Sequence, residues 1–380
     1  FKGIRVNSDD DMQGIITSVA RDNCVFENIT FDNVHAFSDD GYVGSVASWA
    51  EDCTFKDITV KNSDFTTDSS YSGAIVGNAK NCKFTNIKVE KCESTADNDM
   101  AGGVTGMADK CEFNNVDISG GEIEAKENYA GGICGIAHEC KFISCLNSAK
   151  VLGDDYVGGI VGNSSYTDII RCTNSGTISH RNFSEFVTDV GLGGIVGKAS
   201  YGTIEQCSNY GEYPSLDEPC GGIVGDAENM TINNCLCTVA PAIHRGAWGG
   251  IVGACKSCKV TNTFSSEYHC FGVKEYCEDM DPESGNNFYF NFNTQDYKGL
   301  EYPECEKHGF DADGMLAYIM NNSRENLAAG IKPWRQRVGN SPSLDPQQPE
   351  ATIDAMKEVY LPDWEYGGVP NVYRVSTPAD

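Results

Sequence analysis

Apolar and polar residues alternate in short runs along most of this chain. In "CKFTNIKVE" the apolar positions are Cys82, Phe84, Ile87 and Val89. The period is two, broken once at Thr85-Asn86, which predicts two short strands joined by a bend and excludes a helix. "GAIVGNA", starting at Gly73, adds a third strand of small and branched residues. Polar turns such as "SDD", "TTDSS" and "ADND" separate it from the strands before it. The pattern recurs. Gly44, Gly73, Gly102 and Gly131 are each 29 residues apart, as are Cys24, Cys53, Cys82, Cys111 and Cys140. A fixed period in this range marks a repeat architecture. "GGIVG"-type boxes then continue at Gly158, Gly193, Gly221 and Gly249, in steps of 27, 35, 28 and 28 residues. Counting a weaker start at Gly14, the chain holds about nine units before about residue 260.

Three strands in one unit predict one rung of a solenoid, with rungs stacked strand on strand at about 4.8 Å. The expected fold is all-β: a parallel β-helix-like solenoid of about nine rungs over residues 1–263. An α-helical and irregular capping segment follows over 264–380. Stacking turns each repeated residue into a column. Gly73, Gly102 and Gly131 form one, and Gly77, Gly106 and Gly135 another. Glycine there serves either a left-handed corner or a close approach of backbones. Phe55, Phe84, Phe113 and Phe142 form an aromatic column, and Ile58, Ile87 and Val116 an aliphatic one. Cys53, Cys82, Cys111 and Cys140 share the phenylalanine phase and point inward as small apolar groups.

The chain has 18 cysteines, which in a secreted protein ordinarily signals disulfides. The column argues otherwise for its own members. Stacked rungs hold equivalent Cβ atoms at the strand spacing, whereas a disulfide brings them to about 3.8 Å. Those thiols are expected free and buried. Cys255, Cys258, Cys270, Cys277 and Cys305 lie where the repeat ends. The first four have a loose zinc-ligand spacing, with structural thiols or disulfides as the favoured alternative.

Charge narrows the function. The chain carries 55 acidic against 28 basic residues, a net charge of −27. Nucleic-acid binding needs a basic footprint and is excluded, and anionic membrane surfaces are disfavoured. No apolar run approaches the roughly 18 residues of a spanning helix, so no membrane insertion is expected. No signal peptide is visible. "FKGIRVNSDDDMQG" parallels "FDNVHAFSDDGYVG", so a leading segment or earlier repeats are expected before Phe1. Asp39, Asp40, Asp97, Asp99, Asp154 and Asp155 crowd the turn before the glycine box, with Asp68 among them. They are weak calcium candidates. A solvated acidic edge that opposes aggregation is the favoured alternative, since Lys126 and Glu127 occupy this turn in the unit between.

No His-Glu-x-x-His, Gly-x-Ser-x-Gly or phosphate-loop motif is present, and the six histidines share no close spacing. No catalytic residue is assigned. The interruptions of the repeat point instead to binding. The 35-residue unit carries the insertion "SHRNFSEFVTDVG", with Phe183 and Phe186 outside the core phase, beside His180 and Arg181. "AIHRGAW" holds His244, Arg245 and Trp248 before the last glycine box. Aromatic residues on loops of a rigid scaffold suit a glycan or protein ligand, and folding back over a rung is the equal alternative.

"GGIVGNSSYTDIIRCTNSGTIS" (158–179) and "GGIVGKASYGTIEQCSNYGEY" (193–213) resemble the GLUG repeat. "GFDADGMLAYIMNNSRENLAAGIKPWRQRVGNSPSLDP" (309–346) resembles the terminal segment of bacterial surface proteins that carry it. The resemblance implies a secreted or cell-surface, adhesin-like location and role, with cysteine abundance a departure from the commoner pattern. The expected function is therefore extracellular binding of a glycan or protein. The alternatives are a self-assembling surface or filament component, associating through the N-terminal rung, and a polysaccharide-active β-helix enzyme. In the tail, Asp313 is expected to cap one helix running to about Leu327, with Leu316, Ile319, Met320 and Leu327 on one face beside Trp334, closing the solenoid's end.

Overall fold

The computed structural model describes residues 1–8, 12–181, 191–213, 220–239, 248–265, 277–285, 287–289, 306–307, 315–336 and 341–348. The chain divides into two compact units, Phe1–Cys305 and Glu306–Asp380. The first is a parallel β-solenoid. Its glycine boxes form a nine-stranded parallel sheet running from Met12–Gly14 to Trp248–Gly249. The longer strands of every level join a second parallel sheet. Strand pairing continues past residue 263, through Phe264–Ser265, Cys277–Glu278 and Phe288–Tyr289. These short strands after residue 263 still find partners on the last full level, within the first unit.

One level shows how sequence becomes structure. Ser72–Gly73, Val76–Lys80 and Lys83–Ala96 wrap a single turn of backbone. The two apolar runs expected within residues 82–89 are there, bent at Asn86. A further segment follows, with Ser94 and Ala96 buried, and its counterpart one level earlier is the separate strand Asp64–Thr67. The rung therefore has more strand segments than the three expected. "CESTA" alternates too briefly to be read as a strand from sequence alone.

Register is exact at the residue level from one turn to the next: Phe84 pairs Phe55 and Phe113, and Ile87 pairs Ile58 and Val116. The five rings Phe26, Phe55, Phe84, Phe113 and Phe142 stack face to face, with successive centroids 5.3, 4.8, 4.7 and 4.5 Å apart. Each stacked pair adds about 0.5–1.5 kcal/mol to area burial. Ile169, Ile204, Ile232 and Val260 continue the column.

The corners are made by residues other than the repeat's glycines. Asp52, Asn81, Lys110, Glu139, Tyr166, Tyr201, Asn229 and Ser257 all have φ near +50°, each at the same corner of its level. A second corner uses Asn28, Asp57, Asn86, Asn115, Ser144, Arg171, Gln206, Asn234 and Asn262. Asparagine and aspartate tolerate this conformation best. At the first corner the backbone N–H reaches the carbonyl of the next level, as in Asn81 to Asp109 at 2.8 Å and Lys110 to His138 at 2.8 Å. The glycine columns answer the other expectation, close approach. A Cβ on Gly73 would lie 2.4 Å from the Val76 carbonyl oxygen, and one on Gly106 would lie 2.4 Å from that of Met100.

The sixteen described cysteines are all free, and all but Cys24 are buried. In the expected column the Cys82 N–H donates to Cys111 Sγ and the Cys111 N–H to Cys140 Sγ, each at 3.3 Å. Cys145, Cys172, Cys207 and Cys235 form a second column, which takes over the place of Ile87 and Val116. There the Cys172 N–H donates to Cys207 Sγ at 3.4 Å.

In the second unit, the expected single helix is two: α1 (Met315–Asn321) and α2 (Arg324–Ala329). Ser323 ends the first and caps the second, accepting from the Asn326 N–H, and Gly330 closes α2 in a left-handed conformation. Leu316, Met320 and Trp334 are buried, but the break turns Leu327 outward, where it is 58% exposed. Asn321 pins the tryptophan from both sides, donating to its carbonyl at 2.8 Å and accepting from its N–H at 2.9 Å. Asp313 lies outside the described residues.

Candidate functional site

One corner of the solenoid, between the last strand of a level and the next glycine box, is where the repeat changes character. In the regular levels it is a short turn ending in Tyr71, Met100, Tyr129 or Tyr156, all at positive φ. The turn is tied to its neighbours. Tyr42 stacks on Tyr71 at 4.5 Å, and Tyr129 on Tyr156 at 5.8 Å. Lys126 pairs with Asp97, and Asn128 donates to Asp99 through Nδ2 at 2.9 Å. Asp39 and Asp40 are exposed, while Asp154 and Asp155 are half-buried. Among the described residues no group of three or more His, Cys, Asp or Glu side chains has the geometry to hold a metal ion.

In the next three units residues 182–190, 214–219 and 240–247 lie outside the described residues, and only the first of these units is lengthened, to 35 residues. Their roots are fixed in register. Ile178–His180 pairs with Val151–Gly153, and Leu192–Gly193 rejoins the glycine sheet between Val157–Gly158 and Cys220–Gly221. Cys220–Gly221 then pairs with Trp248–Gly249. The one lengthened unit, of 35 residues, thus leaves the register of the glycine sheet unchanged. Phe183, Phe186, His244 and Arg245 lie on these segments, outside the described residues.

The remaining three candidates are placed. His180 is the last residue of its strand and half-buried. Arg181 reaches back across the stack: its Nε lies 3.1 Å from Glu124, and its Nη1 donates to the Lys126 carbonyl at 3.0 Å. It clamps the start of the insertion to a turn 55 residues earlier in the chain. Trp248 is buried, its ring edge-on to Tyr213 at a centroid distance of 5.0 Å. Tyr213 donates to the Gly221 carbonyl at 3.1 Å, and burial among apolar groups holds its phenol well above the usual tyrosine range. Trp248 therefore packs behind the edge and supports it.

Sequence reasoning missed a second group on this corner. The ammonium of Lys198 lies over the Tyr156 ring at 4.8 Å and 3.4 Å from Asp226. Burial works against its charge, but the Tyr156 hydroxyl and Asp226 prevail and hold its pKa above the ordinary lysine value. On another corner, Tyr166 and Tyr201 stack at 4.9 Å while staying 57% and 45% exposed. Their faces cover each other, so they offer edges and hydroxyls outward. Neither group follows the 29-residue period, which is why the spacing did not reveal them.

These features define a class: a repeat-built parallel β-solenoid. Residues 153–179 match the family model described as the GLUG motif. They span the turn at Asp154–Tyr156, the glycine box and the strands through Ile178 of a single level. No curated protein and no solved structure is significantly similar to the chain. No described helix is long and apolar enough to cross a membrane.

Proposed function

We propose that this is a surface or secreted repeat protein whose solenoid presents the insertion that holds Phe183 and Phe186, together with the stretch that holds His244 and Arg245, to a glycan or protein ligand. The observation that carries the reading is that Leu192–Gly193 keeps register with Val157–Gly158 and Cys220–Gly221 although its unit is 35 residues long against 27 and 28 for the units on either side. A rigid scaffold with variable loops is how binding surfaces are commonly built, because the scaffold bears the ordering cost in advance. Phe183, Phe186, His244 and Arg245 supply aromatic and polar groups suited to sugar rings or a protein surface. The acidic surface favours neutral or basic ligands over anionic ones.

The test replaces residues 182–190 by a short polar turn of the kind at 97–100 and compares both proteins on a glycan array and against host-surface proteins. Loss of a wild-type signal with unchanged circular dichroism supports the reading. A signal unaffected by replacing both 182–190 and 242–247 overturns it. Released oligosaccharide in the same incubations would instead support the polysaccharide-active reading.

A second reading rests on the first level. Its strands at residues 5–8, 12–14, 17–20 and 25–32 pair with the second level. Ile16, Val19 and Val25 are exposed there, Val25 at 63%. Such an edge accepts another strand, from a preceding repeat or from a second copy. Sedimentation at several protein and salt concentrations separates the two: a second copy gives concentration-dependent association strengthened by salt, as screening relieves acidic repulsion.

A further inference from the structure

We propose that Cys255 and Cys277 form a disulfide that fastens the strands after the ninth glycine box to the end of the solenoid. The argument begins in a column of small residues. Ala20, Ala50, Ala79, Ala108, Ala137, Ser164, Ala199 and Ala227 succeed one another in register along the stack. The next two places are Cys255 and Cys277. Both are buried. Among the described residues, thiols therefore enter this column at two adjacent levels alone, the last two described.

Geometry permits the bond here more readily than in the longer cysteine columns. In-register parallel neighbours have Cα atoms about 4.8 Å apart, inside the disulfide range, but Cβ atoms about 1 Å too far apart. Closing that gap requires one strand to tilt. Cys111 cannot tilt, because it adjoins the 14-residue strand Glu112–Ala125, which pairs with Lys83–Ala96 on one side and with the next level on the other. Its sulfur also accepts the Cys82 N–H. Cys277 belongs to a two-residue strand, Cys277–Glu278, at the end of the stack. The Cys255 and Cys277 thiols hydrogen-bond to each other, and this contact and burial together raise the Cys255 pKa far above the ordinary thiol value. Cys258 is nearby, but its thiol is engaged with the carbonyls of Ala227 and Lys256, both at 3.4 Å.

The chemistry is thiol–disulfide exchange with a disulfide oxidant such as oxidised glutathione. One cysteine thiolate attacks the oxidant, expels one thiolate and forms a mixed disulfide. The second cysteine thiolate attacks that bond, closes the protein disulfide and expels the second thiolate. Two protons and two electrons leave the pair, and the oxidant becomes two thiols. With both thiols buried, exchange proceeds while this end of the solenoid is open, during folding or fraying.

The full chain is refolded with oxidised glutathione, its free thiols are alkylated without reduction, and the protein is digested with trypsin. Cleavage at Lys256, Lys259 and Lys274 places Cys255, Cys258 and Cys277 on separate peptides. The expected product joins the Cys255 and Cys277 peptides, while the peptides of Cys82, Cys111 and Cys140 are alkylated. Cys255→Ala restores the residue type of the column, so it keeps the fold and leaves Cys277 alkylated; Cys111→Ala leaves the link intact. Amide exchange over 277–289 slows about tenfold on oxidation as local opening is suppressed. Alkylation of both cysteines after oxidative refolding overturns the proposal, as does a link from either one to Cys258, Cys270 or Cys305. A link without slower exchange overturns the fastening.

Discussion

Levels up to Cys140 and levels after it solve the same stacking problem with different interiors. The earlier ones stack phenylalanine on phenylalanine and put Val89 and Ile118 beside the second position of the glycine box. In the later ones the place of Ile118 is taken by Asn147, then Asn174 and Asn209. These three are buried and joined Nδ2 to Oδ1 at 2.9 Å from level to level. Each also closes on its own backbone two residues later: Asn174 accepts the Gly176 N–H at 3.1 Å and donates to its carbonyl at 3.0 Å. At Gly132, Gly159 and Gly194 the ladder leaves no room for a side chain in the second place of the box, although the doubled glycine already appears at Gly102–Gly103 beside Ile118 and persists at Gly221–Gly222 beside Cys237. Ser45 and Ala74 stand at the second position early on. A Cβ on Gly159 would sit 2.4 Å from Asn174 Cγ, and one on Gly194 would sit 2.2 Å from Asn209 Nδ2. Apolar columns adjust to a changed neighbour. A polar ladder demands the same residue at each level and a glycine above it.

The sharpest way to break this contrast is Asn174→Leu. It strips partners from Asn147, Asn209 and both backbone groups of Gly176 inside the core. At about 1–3 kcal/mol for each buried orphan, the expected loss is about 4 kcal/mol or more. Phe113→Leu in the earlier half keeps the space apolar and gives up two ring contacts, for about 1–3 kcal/mol. Urea unfolding of both variants measures the order; an equal loss would show that the ladder is no more exacting than the aromatic stack.

The thiols sharpen the comparison along pH. Burial pushes Cys53 and Cys235 up to about 12, and Cys92 and Cys258 to about 11. These values are raised above the unfolded thiol value near 9, so their stabilisation is complete below about pH 9 and is lost as pH rises towards 12. Circular dichroism from pH 8 to 12 should show alkaline unfolding, delayed in Cys235→Ala. Under native conditions at neutral pH, exposed Cys24 should react with a thiol reagent well before the buried thiols do.

The smallest effect belongs to the surface. Lys56 pairs with Glu27 at 2.6 Å and Lys150 with Glu122 at 2.9 Å, each bridging adjacent levels, and all four side chains are at least 40% exposed. Lys56→Ala should lower stability least of these variants, and by less still in high salt. A larger loss in thermal unfolding would mean that these pairs also hold register.

What was legible from the sequence is what kept its period and its residue type. Phe84, Cys82 and Gly73 recur at a constant step, and stacking follows from that alone. The second cysteine column was hidden because Ile87 and Val116 precede Cys145 in the same place. The asparagine ladder was hidden because its steps of 27 and 35 residues include an insertion. The corners were hidden because Asp52, Asn81, Lys110, Glu139 and Tyr166 share a backbone conformation and nothing else. On the candidate edge, Arg181 was singled out through its insertion, but its partner Glu124 lies 57 residues earlier in the chain and no local pattern connects them.

The corner N–H groups that reach only the next level have a mechanical consequence. Every level of the solenoid is held by its two neighbours, so a chain pulled from one end gives way a turn at a time. A released level of 29 residues pays out roughly 100 Å of contour at about 3.5 Å per residue. Pulled from one end, such a stack is expected to lengthen in steps of that size, the levels far from the load staying folded.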